Sequence, residues 1–313
     1  MKPIVILKRC KPLISLLILV IIFWIIKEKL SELSYQEIIL SLSAIQKQNI
    51  FWAITCTFVG YFVIATYDLV ALHHLNYKLD RFKGLSTAFS SYAIANNTGF
   101  ALLIGGGIRY YFYNYYGVPN QIIAQVILMS NFNFWLGFIS LGGIIFTLNP
   151  IVIPSILQTS ILTVRPVGVI LLLVLAIYFY FSWQQKPLVI KDKRLLIPSW
   201  RISRDLIAIS FVDRAIAALV LFILLPVHTD IGYLDFFAIY FLAIHAGIMS
   251  HIPGGVGIFE AVIVYLLPQS LDATEIIGSL IVFRVIYYLL PMAIAVLWIA
   301  IYEISLKKGI KKE

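Results

Sequence analysis

Residues 235–252 read DFFAIYFLAIHAGIMSHI, residues 253–255 read PGG, and residues 256–267 read VGIFEAVIVYLL. Proline cannot donate a helical hydrogen bond and glycine is a poor helix former, so Pro253-Gly254-Gly255 divides the apolar run in two. The second piece, of about 12 residues, makes roughly 18 Å of helix, well short of the ~30 Å of bilayer hydrocarbon. The stretch Asp235 to Leu267 therefore reads as a re-entrant hairpin that enters and leaves the membrane on one side. Irregular backbone at that depth survives only where protein or water surrounds it, so the hairpin tip is expected to line an internal cavity.

The rest of the chain fits a membrane setting. Of 313 residues, 61% are hydrophobic and 12% charged, against about 25% charged in a soluble domain. The formal net charge is +9. Lys and Arg gather at the ends of apolar runs, which speaks for membrane orientation rather than for nucleic acid. Cys10 and Cys56 make neither a disulfide framework nor a thiolate metal site. Lys2, Lys8, Arg9 and Lys11 precede an apolar run with no small-residue cleavage site after it, so this run reads as an uncleaved first span.

Six full spans emerge: Pro12–Ile26, Ile50–Leu75, Gln121–Leu148, Ile156–Trp183, Asp205–Pro226 and Ile276–Tyr302. Ser34 and Glu37 ahead of Ile38 form a capping box for an interfacial helix before residue 49. The N-terminus, Asn76–Gly84, Gln184–Arg204 and the tail are basic, which assigns them to the cytoplasm. Asn149–Thr159, Val227–Tyr233 and Gln269–Glu275 hold no Lys or Arg, which assigns them to the outside.

An odd number of crossings must then separate 76–84 from 149–159. Leu85–Tyr116 becomes a second re-entrant hairpin, entering from inside, with Gly105-Gly106-Gly107 at its tip. The expected fold is an all-α polytopic membrane protein: about six full spans plus two re-entrant helical hairpins in an inverted-repeat arrangement. It forms one domain over 1–313. Residues 1–49 hold the first span and interfacial helix, 50–148 and 205–302 the two inverted halves, 156–183 the connecting span and 303–313 the basic tail. Gly99, Gly106 and Gly107 recur as Gly247, Gly254 and Gly255 at an offset of 148. Paired segments broken by Gly or Pro mark the binding site of many transporters.

Six ionisable residues fall inside apolar stretches: Asp68, Arg109, Asp213, Arg214, Glu260 and Arg284. Each costs about 2.5–3.5 kcal/mol at a helix centre, so each is expected to face a cavity or pair with another. In one reading they only fasten helices together. In the other, Arg109 and Arg284 hold an anionic group such as a phosphate, which suits the planar guanidinium fork. Asp68, Asp213 and Glu260 would then balance charge, bind a cationic head group or carry a coupling proton. His245 and His251 lie on hairpin arms as candidate proton relays, with packing as the bland alternative. Asn96 and Asn97 lie on a hairpin arm as well. Nucleotide loops, nucleophile triads and metal spacings such as HExxH do not occur, so no catalytic residue, cofactor or metal is expected.

Several motifs together resemble a known family. They are Tyr67-Asp68, Gly106-Gly107-Ile108-Arg109-Tyr110, Pro253-Gly254-Gly255-Val256-Gly257-Ile258-Phe259-Glu260-Ala261 and Arg284-Val285-Ile286-Tyr287-Tyr288-Leu289-Leu290-Pro291. The chain is similar over nearly its whole length to the flippase-like membrane domain of lysylphosphatidylglycerol synthases, the YbhN-type family. The resemblance implies translocation of a charged lipid between leaflets of a bacterial or archaeal cytoplasmic membrane, and the charge pattern makes both termini cytoplasmic. It carries over Asp68, Arg109, Glu260 and Arg284 as cavity residues, and Asp213 less securely. The soluble transferase domain of the synthases is not read in these 313 residues, so lipid synthesis is not implied. The partner expected is a membrane phospholipid or lipid-linked substrate, with no nucleic acid. A homo-oligomer or a partner lipid-synthesising enzyme stays open. The competing functions are an intramembrane lipid-modifying transferase and a non-transporting partner of an envelope enzyme.

Overall fold

The computed structural model describes residues 45–98, 101–148, 161–184, 188–190, 193–195, 198–226, 231–250, 252–267, 271 and 273–310. The expected first span, the capping-box helix and His251 lie outside the described residues. Among the described residues are ten helices: α1 (Lys47–His74), α2 (Arg81–Thr98), α3 (Ala101–Tyr115), α4 (Asn120–Leu148), α5 (Ile161–Gln184), α6 (Trp200–Leu224), α7 (Tyr233–Met249), α8 (Ile258–Leu266), α9 (Ala273–Phe283) and α10 (Leu290–Ile310). A π-helical segment, Arg284–Leu289, joins α9 directly to α10.

Among the described residues, five stretches are long and apolar enough to cross a membrane: Lys47–His74, Asn120–Leu148, Arg165–Gln184, Trp200–Leu224 and Ala273–Ser305. The protein is a polytopic, helical membrane protein. The α6 span begins earlier than its apolar run, at Trp200, so Arg201 and Arg204 stand on the helix and lie over the Trp200 ring. The basic loop before α6 holds a small departure from an all-α chain. Leu188–Ile190 (β1) pairs antiparallel with Lys193–Leu195 (β2).

The helices α1 and α6 pack along each other at the centre. A Cβ on Gly60 would lie 3.1 Å from Ile216 Cγ2, so glycine permits their close approach. Around them Tyr61, Phe112, Leu141, Leu221, Phe236, Phe259 and Phe283 form one buried core. On α5, by contrast, Val169, Ile170, Leu173, Ile177 and Trp183 are exposed. An apolar surface of that extent suits lipid, not water.

Helix α2 packs on α3, and α7 on α8, giving two helical hairpins. The α8 arm has 9 residues, about 14 Å of helix. Its tip lies where the sequence puts it, with a 3-10 turn over Pro253–Gly255. Gly254, Gly255 and Gly257 have φ of 64°, 62° and 83°, a region that glycine alone enters without strain. A Cβ on Gly255 would sit 2.9 Å from Gly247 Cα, so this tip folds tightly back on α7.

The first hairpin corrects an expectation. Gly105, Gly106 and Gly107 lie inside α3 and do not form a tip, because the helices change between Thr98 and Ala101. No proline accompanies this triplet, and glycine alone weakens a helix by only about 1 kcal/mol. A Cβ on Gly105 would meet Ser91 Oγ at 3.0 Å and Ala95 Cβ at 3.2 Å. Here glycine serves close helix packing. In the glycine echo at offset 148, Gly106 and Gly107 lie inside a helix where Gly254 and Gly255 lie in a turn, so these two pairs are not structurally equivalent.

Candidate functional site

The turn at Pro253–Gly255 positions the first half of the site. Glu260 is in the first turn of α8, and its Oε2 accepts the Gly257 N–H at 2.8 Å, a capping box that fixes the side chain. The other oxygen, Oε1, accepts from Arg284 Nε at 2.6 Å. Arg284 opens the π segment, and its Nη1 donates to the Gly254 carbonyl at 2.5 Å. Its Nη2 lies 2.6 Å from Glu260 Oε1 but off hydrogen-bond alignment, and has no hydrogen-bond partner. The guanidinium is flanked by the Tyr288 ring at 4.9 Å and the Phe259 ring at 5.4 Å. One arginine thus ties the hairpin tip, α8 and the last helix together.

This pair borders a cavity of about 250 Å³. Asn97, Glu260, Arg284 and Tyr288 line it beside Val256, Gly257, Ile277, Leu280, Ile281 and Leu289. The Glu260 side chain is 25% exposed and that of Arg284 10%, so the pair is within reach of a ligand. Asn97, in the last turn of α2, donates from Nδ2 to the Tyr288 carbonyl at 3.1 Å. That carbonyl lies in the π segment, where regular helical bonding is displaced. The end of the first hairpin is thereby fastened to the site of the second half. The sequence placed Asn97 on a hairpin arm, but nothing in it paired that side chain with the last helix.

Asp68 and Arg109 also meet, in a separate cluster. Arg109 Nε and Nη2 donate to Asp68 Oδ2 and Oδ1 at 2.8 and 3.0 Å, and Nη1 donates to Ser91 Oγ at 2.6 Å. Tyr113 and Ser130 donate to the same carboxylate at 2.7 and 3.3 Å. The Tyr92 ring covers the guanidinium at 4.4 Å. Asp68 is 0% and Arg109 3% exposed. These two residues do not line the 250 Å³ cavity.

The neighbours Asp213 and Arg214 form a loose third pair, Nη1 to Oδ2 at 3.8 Å. His245 lies among Phe134, Phe138 and Phe241, and its Nδ1 donates to the Phe241 carbonyl at 2.6 Å. A larger depression of about 430 Å³, lined by Trp183, Ser199, Trp200 and Arg201, opens beside the basic loop. It adjoins residues outside the described set and holds no opposed charges, so the inner cavity is the stronger site.

The family described as lysylphosphatidylglycerol synthase TM region matches residues 13–295. The chain belongs to that family. It is 34% identical over 280 residues to the uncharacterised Synechocystis protein slr0712, covering 89% of this chain and 87% of that one. It is 30% identical over 260 residues to the inner membrane protein YbhN of Escherichia coli, covering 82% and 80%. A phosphatidylglycerol lysyltransferase of Staphylococcus aureus is 23% identical over 273 residues, covering 86% of this chain but 31% of the lysyltransferase. The matches and the spans together make this a bacterial membrane protein.

Proposed function

We propose that this protein moves a charged lipid between the leaflets of the cytoplasmic membrane. The head group passes through the cavity beside Glu260 and Arg284, and the acyl tails stay in the bilayer. The observation that carries this reading is an incompletely bonded, partly exposed Glu–Arg pair on the wall of an otherwise largely apolar cavity. A lipid phosphate can compete for the Arg284 fork, because charge-assisted bidentate bonds are among the strongest available. Glu260, once released, can take the ammonium of an aminoacylated head group. A volume of about 250 Å³ is at the small end for ligand sites and suits a head group without its tails.

The charge pattern supports two hairpins dipping from opposite faces, with both termini in the cytoplasm. The name of the family and of its staphylococcal relative supports a lysyl-bearing or related anionic lipid as cargo. Proteoliposomes holding fluorescent or aminoacylated phosphatidylglycerol test the proposal. Arg284→Ala and Glu260→Ala should each slow transfer by about ten- to a hundredfold, the loss of one charge-assisted contact of ~1.5–3 kcal/mol. If both variants move lipid at the wild-type rate, the assignment of this site fails.

A further inference from the structure

Asp213 has no role in the cavity just described, yet it is 6% exposed in the middle of the helix bundle. Its Oδ1 has no hydrogen-bond partner. Its Oδ2 is 3.8 Å from Arg214 Nη1, beyond hydrogen-bond reach. Arg214 is occupied elsewhere, donating from Nη1 to Ser210 Oγ at 3.0 Å and lying over the Phe134 ring at 5.2 Å. Asp68, an equally buried carboxylate, accepts four hydrogen bonds. A buried carboxylate with unmade bonds is costly while ionised, and far less so as the neutral acid.

The surroundings are rich in hydroxyls. Tyr61, Tyr67, Tyr92, Tyr240, Tyr287 and Tyr288, on α1, α2, α7 and the π segment, lie within electrostatic range of Asp213 without a hydrogen bond to it. The charged group facing it is Arg214. His245 of α7 faces Arg214 in turn. Tyr288, whose ring lies 4.9 Å from the Arg284 guanidinium, and Tyr240 are each within electrostatic range of both Asp213 and Arg284.

We infer that Asp213 is a proton-binding site, occupied in one state of the protein and empty in another. A proton from water adds to a carboxylate oxygen of Asp213, giving the acid an O–H to donate. The same proton returns to water on release. Charge entering the cavity biases this equilibrium. By linkage, the proton biases head-group binding to the same extent. That coupling rests on the transport reading; the proton site itself does not.

An infrared titration of the purified protein in lipid nanodiscs, between about pH 5 and 8, reads the carboxyl group directly. The expected result is a protonated-carboxyl band that grows as the pH falls, is missing in Asp213→Asn, moves in Asp213→Glu and persists in Glu260→Gln. No such band in the wild type, or the same band in Asp213→Asn, overturns the proposal. Asp213→Asn is a neutral near-isostere and should melt no lower than wild type, so its spectrum is that of a folded protein. In proteoliposomes an imposed pH gradient should change wild-type lipid transfer by about twofold or more and leave Asp213→Asn unresponsive. A variant that responds as the wild type does overturns the coupling. If the wild type moves no lipid at any pH, the transport reading falls, and the infrared result alone decides the proton site.

Discussion

Arg109 donates from all three guanidinium nitrogens, two to Asp68 and one to Ser91, while Tyr113 and Ser130 complete the carboxylate. Arg284 holds one oxygen of Glu260 and one backbone carbonyl, leaves Nη2 without a hydrogen-bond partner and borders a cavity. Both pairs involve the second arm of a hairpin and a spanning helix. The desolvation of a buried ion pair is offset only when its remaining protons and lone pairs are also bonded. The first pair meets that condition and acts as a fastener, holding α3 to α1 and α4. The second does not, and it is the place where an outside anion or cation displaces a partner at least cost.

The sharpest way to break this contrast is to remove the acid from each pair. Asp68→Ala strands Arg109 in a dry site and should cost about 3–5 kcal/mol, read as a large fall in melting temperature of the detergent-solubilised protein. Glu260→Ala leaves an arginine that the cavity can hydrate, and should cost about 1–2 kcal/mol while its main effect falls on lipid transfer. Equal destabilisation by the two variants would show that the pairs are not different in kind. Next in size is Gly255→Ala. At φ 62°, and with the new Cβ 2.9 Å from Gly247 Cα, the turn must shift, at about 1–3 kcal/mol for the backbone strain alone. Asn97→Ala removes the bond to the Tyr288 carbonyl and should cost about 1 kcal/mol, with lipid transfer slowed because a cavity wall is lost. Unchanged transfer in that variant would detach the first hairpin from the site.

The two halves also differ in how much of them could be read in advance. Five of the six expected spans, those among the described residues, were legible, because a long apolar run has few other ways to satisfy its backbone in a membrane. The second tip was legible because Pro253 lacks a donor and the glycines beside it favour a turn. Gly105-Gly106-Gly107 was misread as a tip because Gly105 serves a neighbour, Ser91, 14 positions away. That the buried charges would seek partners followed from their cost. Which residues they chose did not, since the partners stand 41 and 24 positions apart. Which pair would be sealed depended on Ser91, Tyr113 and Ser130, hydroxyls whose role exists only once four helices meet.

The smallest effect sharpens the same comparison from the opposite side. Gly107 lies within α3, is exposed and has nothing within 4 Å of the position a Cβ would occupy. It has ordinary helical backbone, so alanine meets no strain there. Alanine is the better helix former by about 1 kcal/mol, through lower conformational entropy in the unfolded chain. Gly107→Ala should therefore leave the melting temperature unchanged or raise it slightly, where Gly255→Ala lowers it. If Gly107→Ala instead destabilises the protein or slows lipid transfer, then this glycine takes a non-helical backbone in some working state. The first hairpin would then have a second hinge inside α3, and the sealed half of the molecule would have to open during the cycle.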